Sequence, residues 1–270
     1  MTPVPPPASS PAPPPYERYA AALSRLPAPE RSAPLALLDL DAFRANAAAL
    51  HARAGDVPIR VASKSLRIRR AVTEALGMPG FRGIMAFTLP EALWWAGLGQ
   101  PDVLLAYPTA DEAALARWIA DPAARAAVTV TVDAPEHLAL LARVAHDAGV
   151  PLDDAGLPPL RICLDVDAAW QAGTGRLPGL LRVGALRSPV RTPEQAAELA
   201  RRVVGTPGMR LAGILAYEGQ VAGVPEGTGT RAVVLRTMKR ASVADLRTRR
   251  PAIVEAVRAV AREAGRTWSS

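Results

Sequence analysis

The feature that most constrains this chain is an alternation. From residue 35 onward, short apolar runs take turns with stretches of helical spacing. The runs cover 35–40, 59–63, 83–87, 103–107, 128–132, 160–166 and 211–217. They are largely apolar, which suits parallel strands covered on both faces. The intervening stretches open on helix-start signals. Asp41 precedes 42–50, Asp111 and Glu112 precede 113–119, Asp133 with Pro135 and Glu136 precedes 137–148, and Thr192-Pro193-Glu194 precedes 195–204. Strand and helix in such regular alternation imply βαβ units and a parallel sheet.

Two architectures fit, a doubly wound sheet and an α/β barrel. The doubly wound nucleotide-binding form needs a glycine-rich turn after its first strand. The first run here is followed by Asp41-Ala42-Phe43-Arg44, without glycine. Gly173-Thr174-Gly175 and Gly227-Thr228-Gly229 do not complete the G-x-G-x-x-G spacing, and no P-loop occurs. The barrel is the expected fold.

Residues 1–33 differ from the rest. Pro5-Pro6-Pro7 and Pro13-Pro14-Pro15 mark an arm that cannot build a core and is expected to be disordered or extended, with a short helix over 16–26. The domain is expected over 34–270. Half of the chain is hydrophobic, so a sizeable core is within reach, yet no apolar run is long enough to span a bilayer. No basic-then-apolar leader opens the sequence. Cys163 is alone, which rules out an internal disulfide and suits a cytoplasmic protein; its apolar context reads as a buried structural thiol. The net charge of +7 raises nucleic acid as a partner, but the arginines are dispersed among acids and not interleaved with aromatics, so they read as solvated helix faces. The densest cluster is Arg247, Arg249 and Arg250, near Lys239 and Arg240.

Chemistry is expected where the strands end, because such barrels hold their active sites at the C-terminal mouth. The strand ends offer Ser63, Lys64 and Ser65; Phe87 and Thr88; Tyr107; Asp133; Asp165 and Asp167; and Tyr217, Glu218 and Gln220. Lys64 stands out. It is one of two lysines, with Lys239, among thirty-two basic residues. Arginine stays charged at any workable pH, whereas a desolvated lysine can lose its proton and attack a carbonyl. His51, His137 and His146 lie in helical stretches without recurring ligand spacing, so neither a metal site nor a Ser-His-Asp arrangement is expected.

Leu37-Leu38-Asp39-Leu40-Asp41-Ala42-Phe43-Arg44-Ala45-Asn46 resembles the opening of the alanine racemase-like, fold-type III pyridoxal phosphate enzymes. Val61-Ala62-Ser63-Lys64-Ser65 falls where those enzymes carry their Schiff-base lysine. Gly173-Thr174-Gly175-Arg176-Leu177-Pro178-Gly179 resembles their glycine-arginine segment after the fifth barrel strand, and the stretch from Leu211 to Gly219 their sixth strand. The branch most similar is that of the D-serine dehydratases and D-threonine aldolases. The resemblance implies a pyridoxal phosphate-dependent amino acid lyase or racemase. Lys64 would hold the cofactor and act as a base on one face of the substrate α-carbon. Arg176 would lie near the cofactor's phenolic oxygen. Tyr217 stands where many relatives place a histidine against the pyridine ring, and Asp39, Ser63 and Glu218 would line the site.

One departure from the family carries further expectations. Six barrel strands precede Ser270, taking 35–40 as lying outside the barrel, whereas a closed barrel has eight. The glycine-rich phosphate grip and the C-terminal β domain of the relatives have no counterpart. A truncated or split protein is expected, with a homodimer or a complementing C-terminal fragment as partner beside the amino acid substrate. The alternatives are a non-catalytic pyridoxal phosphate carrier and an inactive fragment.

Overall fold

The computed structural model describes residues 15–172, 181–225 and 230–265. The chain forms two compact units, Met1–Arg53 and Ala54–Ser270. Within the first, α1 (Pro15–Ser24) and α2 (Leu40–Ala54) flank a short 3-10 turn at Ala28–Arg31. The helix expected over 16–26 is therefore present as α1, while the proline runs before residue 15 lie outside the described residues.

The run at 35–40 is not a strand. Residues 35–39 take no regular structure, and Leu40 already belongs to α2. Leu35, Leu37, Leu38 and Leu40 are all exposed. The physical reason lies in Asp39, whose Oδ1 accepts from the backbone N–H groups of Asp41 and Ala42 at 3.1 and 3.0 Å. A carboxylate in that position satisfies the orphan donors of a first helical turn, so the helix begins here.

The second unit carries the alternation. It runs β1 (Ile59–Ala62), α3 (Ser63–Leu66), α4 (Arg69–Leu76), β2 (Phe81–Ala86), α5 (Leu89–Gly97), β3 (Val103–Leu105), α6 (Glu112–Ala120), α7 (Pro122–Ala127), β4 (Val128–Val132), α8 (Pro135–Asp147) and β5 (Leu160–Val166). A hairpin, β6 (Trp170–Ala172) and β7 (Leu181–Val183), interrupts the pattern before α9 (Pro193–Gly205), β8 (Met209–Ala216), α10 (Gly219–Ala222) and α11 (Thr230–Glu263). Six strands form one sheet in the order β1-β2-β3-β4-β5-β8, every pair parallel. These are the six runs read as barrel strands. The antiparallel hairpin of β6 and β7 is an addition that the sequence did not reveal.

The helices start where capping chemistry allows. Asp111 accepts from Ala114 N at 3.0 Å, Asp121 from Ala123 N at 2.8 Å, and Thr192 forms a reciprocal box with Gln195. Pro251 does not interrupt α11, which runs through it as a single helix of 34 residues. Leu246, Ile253, Val257, Val260 and Ala261 are buried along that helix, so apolar packing on both sides of the proline outweighs one lost backbone hydrogen bond.

Burial is greatest in the middle of the sheet. Every residue of β4 is buried, and every residue of β5 but Arg161. The outer strands differ: in β1 only Val61 is buried, and in β8 only Met209 and Leu211. Ile84, Leu105, Trp118, Leu160, Ile162 and Leu164 form the centre of the core.

The entry into β8 is the tightest turn. Gly208 has φ +74°, and a Cβ there would lie 1.9 Å from the Leu152 carbonyl oxygen. Gly208→Ala should therefore destabilise by well over about 1 kcal/mol, since positive φ and a backbone clash act together. Gly205→Ala, in helix α9 with nothing within 4 Å of the added carbon, should be neutral or mildly stabilising. Urea denaturation of the two variants checks the contrast.

Candidate functional site

Lys64 is the second residue of α3, the short turn that leaves the C-terminal end of β1. That turn ends at Arg67 in the left-handed region, φ 44°, whose N–H donates to the Ser63 carbonyl. Ser63 is buried and its hydroxyl donates to the Met85 carbonyl on β2 at 3.3 Å, which ties the turn to the sheet. Lys64 itself is half-buried. Its Nζ lies 2.7 Å from the hydroxyl of Tyr107, two residues past β3. Phe87, just past β2, meets the Tyr107 ring edge-on with centroids 5.3 Å apart. Three strand ends thus deliver an amine, a phenol and an apolar wall to one place.

A fourth group comes from the segment between β7 and α9. The Arg187 guanidinium carbon lies 4.4 Å from the Tyr107 ring centroid and 5.6 Å from that of Tyr217, which follows β8. Its Nη2 pairs at 3.0 Å with Oδ2 of Asp165, the penultimate residue of β5. This segment is held to β5 by Ser188, whose hydroxyl donates to the Asp165 carbonyl at 2.7 Å, and by the Asp167 N–H, which donates to the Val190 carbonyl at 2.7 Å.

Asp165 is 1% exposed, and its Oδ1 has no hydrogen-bond partner. Burial pushes its carboxyl up to about 6; Arg187 pulls the other way, and Asp133 and Asp167 add to the rise. Asp133 faces His137 at 3.1 Å. Asp167 serves a separate network: Arg182 and Arg191 pair with it at 2.9 and 3.0 Å, and Arg249 donates to its backbone carbonyl and to Asp245. Gln220 is buried and donates to the Ala168 carbonyl at 2.6 Å.

The expected site residues divide accordingly. Lys64, Ser63 and Tyr217 belong to the cluster around Tyr107 and Arg187. Glu218 pairs with Arg250 of α11 at 2.8 Å. Asp39 caps α2 and pairs with Arg18 and Tyr19 in the first unit, the backbone donor of Ala42 holding its carboxyl below the ordinary value. Arg176 lies outside the described residues. Cys163 is the structural thiol expected, fully buried and pushed up to about 12 by desolvation. Sequence reasoning missed Arg187, which follows no apolar run and is one arginine among many.

Among the described residues no helix is long and apolar enough to cross a membrane, and no group of three metal-ligating side chains occurs. A mostly apolar cleft of about 510 Å³ between the first turns of α8 and α9 contains no nucleophilic amine.

Residues 38–257 match the family model for alanine racemase, N-terminal domain. No curated protein matches the sequence. Among solved structures the chain is similar to D-threonine aldolase from Filomicrobium marinum, at 22% identity and a TM-score of 0.51, covering 80% of this chain and 53% of that one. It is also similar to D-threo-3-hydroxyaspartate dehydratase from Delftia sp. HT23, at 20% identity and a TM-score of 0.55, covering 91% and 54%. The chain spans about half the length of these solved structures. The likeness is one of fold, and the parallel sheet with its helices is a partial α/β barrel.

The buried carboxyl has a measurable signature. Because its folded-state value is raised from 3.8, the protonated form is favoured on folding, and that contribution is lost as pH rises through about 6. Most carboxylates contribute in the opposite sense. In Asp165→Asn, with an uncharged side chain that can still accept from Arg187, this loss is absent. The stability of the native chain relative to the variant should therefore fall between about pH 4 and about pH 7. Urea denaturation of both proteins across that range reads it.

Proposed function

The chain belongs to the alanine racemase N-terminal domain family, and on that premise we propose that it is a pyridoxal phosphate-dependent amino acid lyase or racemase working through Lys64. The observation that carries this reading is the placement of Nζ. A primary amine stands half-buried at a strand end, 2.7 Å from a tyrosine hydroxyl. The residues present fit the group. Its aldehyde needs an amine, which Lys64 supplies. Its flat ring needs flat walls, which Tyr107 and Tyr217 supply together with the Arg187 guanidinium. The partnerless buried Oδ1 of Asp165 supports a site that is short of one hydrogen-bond donor.

When bound, pyridoxal phosphate supplies an electron sink for charge developing at the substrate α-carbon. The chain's own residues do the rest. Lys64 holds the cofactor and then, as a free amine, carries a proton to or from one face of that carbon. Tyr107 fixes Nζ through its hydroxyl, Ser63 anchors the turn that bears the lysine, and Tyr217 walls the opposite side. Arg176 and Glu218 are proposed to complete the cofactor's surroundings on the resemblance alone. The fold-level similarity to D-threonine aldolase and D-threo-3-hydroxyaspartate dehydratase supports a small hydroxylated amino acid as substrate. We place the protein in the cytoplasm, where Cys163 stays reduced. A second chain against the outer strands β1 and β8, unpaired on one side among the described residues, is part of the same reading.

Incubation with pyridoxal phosphate should give an absorbance band of a lysine-bound cofactor. Borohydride should then fix the label on Lys64, as read by peptide mass spectrometry. Lys64→Ala and Lys64→Arg should both remove it, since neither retains a nucleophilic amine. Label found chiefly on Lys239 would mark nonspecific modification and sink the proposal.

A further inference from the structure

Two arginines stand side by side at the end of the sheet remote from Lys64. Arg161 is the second residue of β5 and Arg210 the second of β8, and the register pairs them on neighbouring parallel strands. Paired residues share a face of the sheet, so two like charges meet there. Alternate residues of a strand also share a face, which puts Arg161, Cys163 and Asp165 in one row, with about 13 Å of strand between the first and the last. The buried Cys163 thiol feels Asp165 from one side and a further cation, Arg60, from the other.

Arg60 comes from β1. It pairs with Asp102 at 2.8 Å, and Asp102 lies 3.9 Å from Arg161. Gly83 makes room for this arrangement. A Cβ there would lie 2.5 Å from Arg60 Nη1 and 2.8 Å from Asp102 Oδ2, and its φ of +75° favours glycine. One carboxylate thus serves three guanidinium groups. Arg161 spends Nη1 on the Ala126 carbonyl at 2.9 Å, while its buried Nε has no partner. Asp102 Oδ1, the atom nearest Arg161, is buried and makes no hydrogen bond. Arg210 makes no hydrogen bond or ion pair among the described residues. Desolvation pulls the Arg161 guanidinium below its ordinary value; Asp102 opposes this, and Arg210 and Arg60 add to it. A cluster of this kind is short of negative charge and of hydrogen-bond acceptors.

We propose that Arg60, Arg161 and Arg210 form a second site, at the N-terminal end of the sheet, for a small multivalent oxyanion of the phosphate or sulfate type. Guanidinium forks match the edges of such an ion, which brings several acceptors and no donor. It can engage Arg161 and Arg210 together and leave Arg60 paired with Asp102. The proposal is independent of the function proposed for Lys64, which lies at the other strand end.

The test locates the ion by what it shields. The full chain is labelled with phenylglyoxal in sulfate, in phosphate, and in chloride at the same ionic strength, and the peptides are read by mass spectrometry with exposed Arg236 as reference. Sulfate and phosphate should each slow labelling of Arg161 and Arg210 in a saturable way, about tenfold at ten times their Kd, and leave Arg236 unchanged. Chloride should protect none of the three. Calorimetric titration with sulfate then reads the affinity. Arg210→Gln should weaken it about tenfold or more, Arg210→Lys by less, since a point charge replaces a fork, and Lys64→Ala not at all. Should Arg210→Gln melt well below the native chain, Arg210→Lys and the labelling of the native chain carry the decision. Protection by chloride equal to that by sulfate would mean charge screening only and overturns the proposal. So does sulfate affinity that survives in a folded Arg210→Gln, or that disappears in Lys64→Ala, which would put the ion at the mouth.

Discussion

A carboxylate with 1% of its surface exposed is costly to leave ionised and alone, and Asp165 is such a group near the end of β5, in the buried middle of the sheet. Its partner must be a cation that can also be satisfied on its other sides. Arg187 meets that demand with an ion pair at 3.0 Å, a backbone carbonyl and two ring faces. The consequence reaches Lys64. Holding Arg187 against Tyr107 fixes the phenol, and the phenol hydroxyl meets Nζ at 2.7 Å. Truncating Asp165 would thus disturb more than one pair, because groups linked in a network do not respond independently.

The topology explains why Arg187 can be there. β5 is followed not by its helix but by the hairpin of β6 and β7, and the chain then returns to the end of β5 before α9 begins. Ser188 and Val190 make that return through hydrogen bonds to the Asp165 carbonyl and the Asp167 N–H. An arginine one residue before such a fastening has little freedom in where its backbone lies. Asp167 plays the matching part on the outer side, gathering Arg182 and Arg191, while α11 adds Arg249.

Much of this fold can be read from the chain, because strands buried on both faces are rich in apolar and β-branched residues. β4 and β5 are such strands, although β4 alternates valine with threonine and β5 carries Arg161 and Asp165. The run at 35–40 has the same character but is no strand. Periodicity sees only that leucines are consecutive, while the outcome depends on Asp39 satisfying the N–H groups of Asp41 and Ala42. The site is legible in part. Lys64 is conspicuous as a rare lysine after an apolar run, and Tyr107 as a polar residue at a strand end. Arg187 is hidden by the number of arginines and by a hairpin that local sequence does not announce. The partner of Glu218 is hidden for another reason: Arg250 lies 32 residues further on, across a helix whose length the proline at 251 disguises.

The choice of cation at positions 64 and 187 follows from what each has to do. A guanidinium at 64 would keep its charge and offer no lone pair, so it could neither attack a carbonyl nor take up a proton. An ammonium at 187 would be a point charge without a flat face for Tyr107 and Tyr217 while pairing with Asp165. In a chain that uses arginine nearly everywhere, a lysine at 64 is therefore informative about chemistry. An arginine at 187 becomes informative only once its neighbours are known. Both approach the same tyrosine ring, Nζ at 5.2 Å and the guanidinium carbon at 4.4 Å from its centroid, so the two cations share one neighbour whose position Asp165 helps to fix.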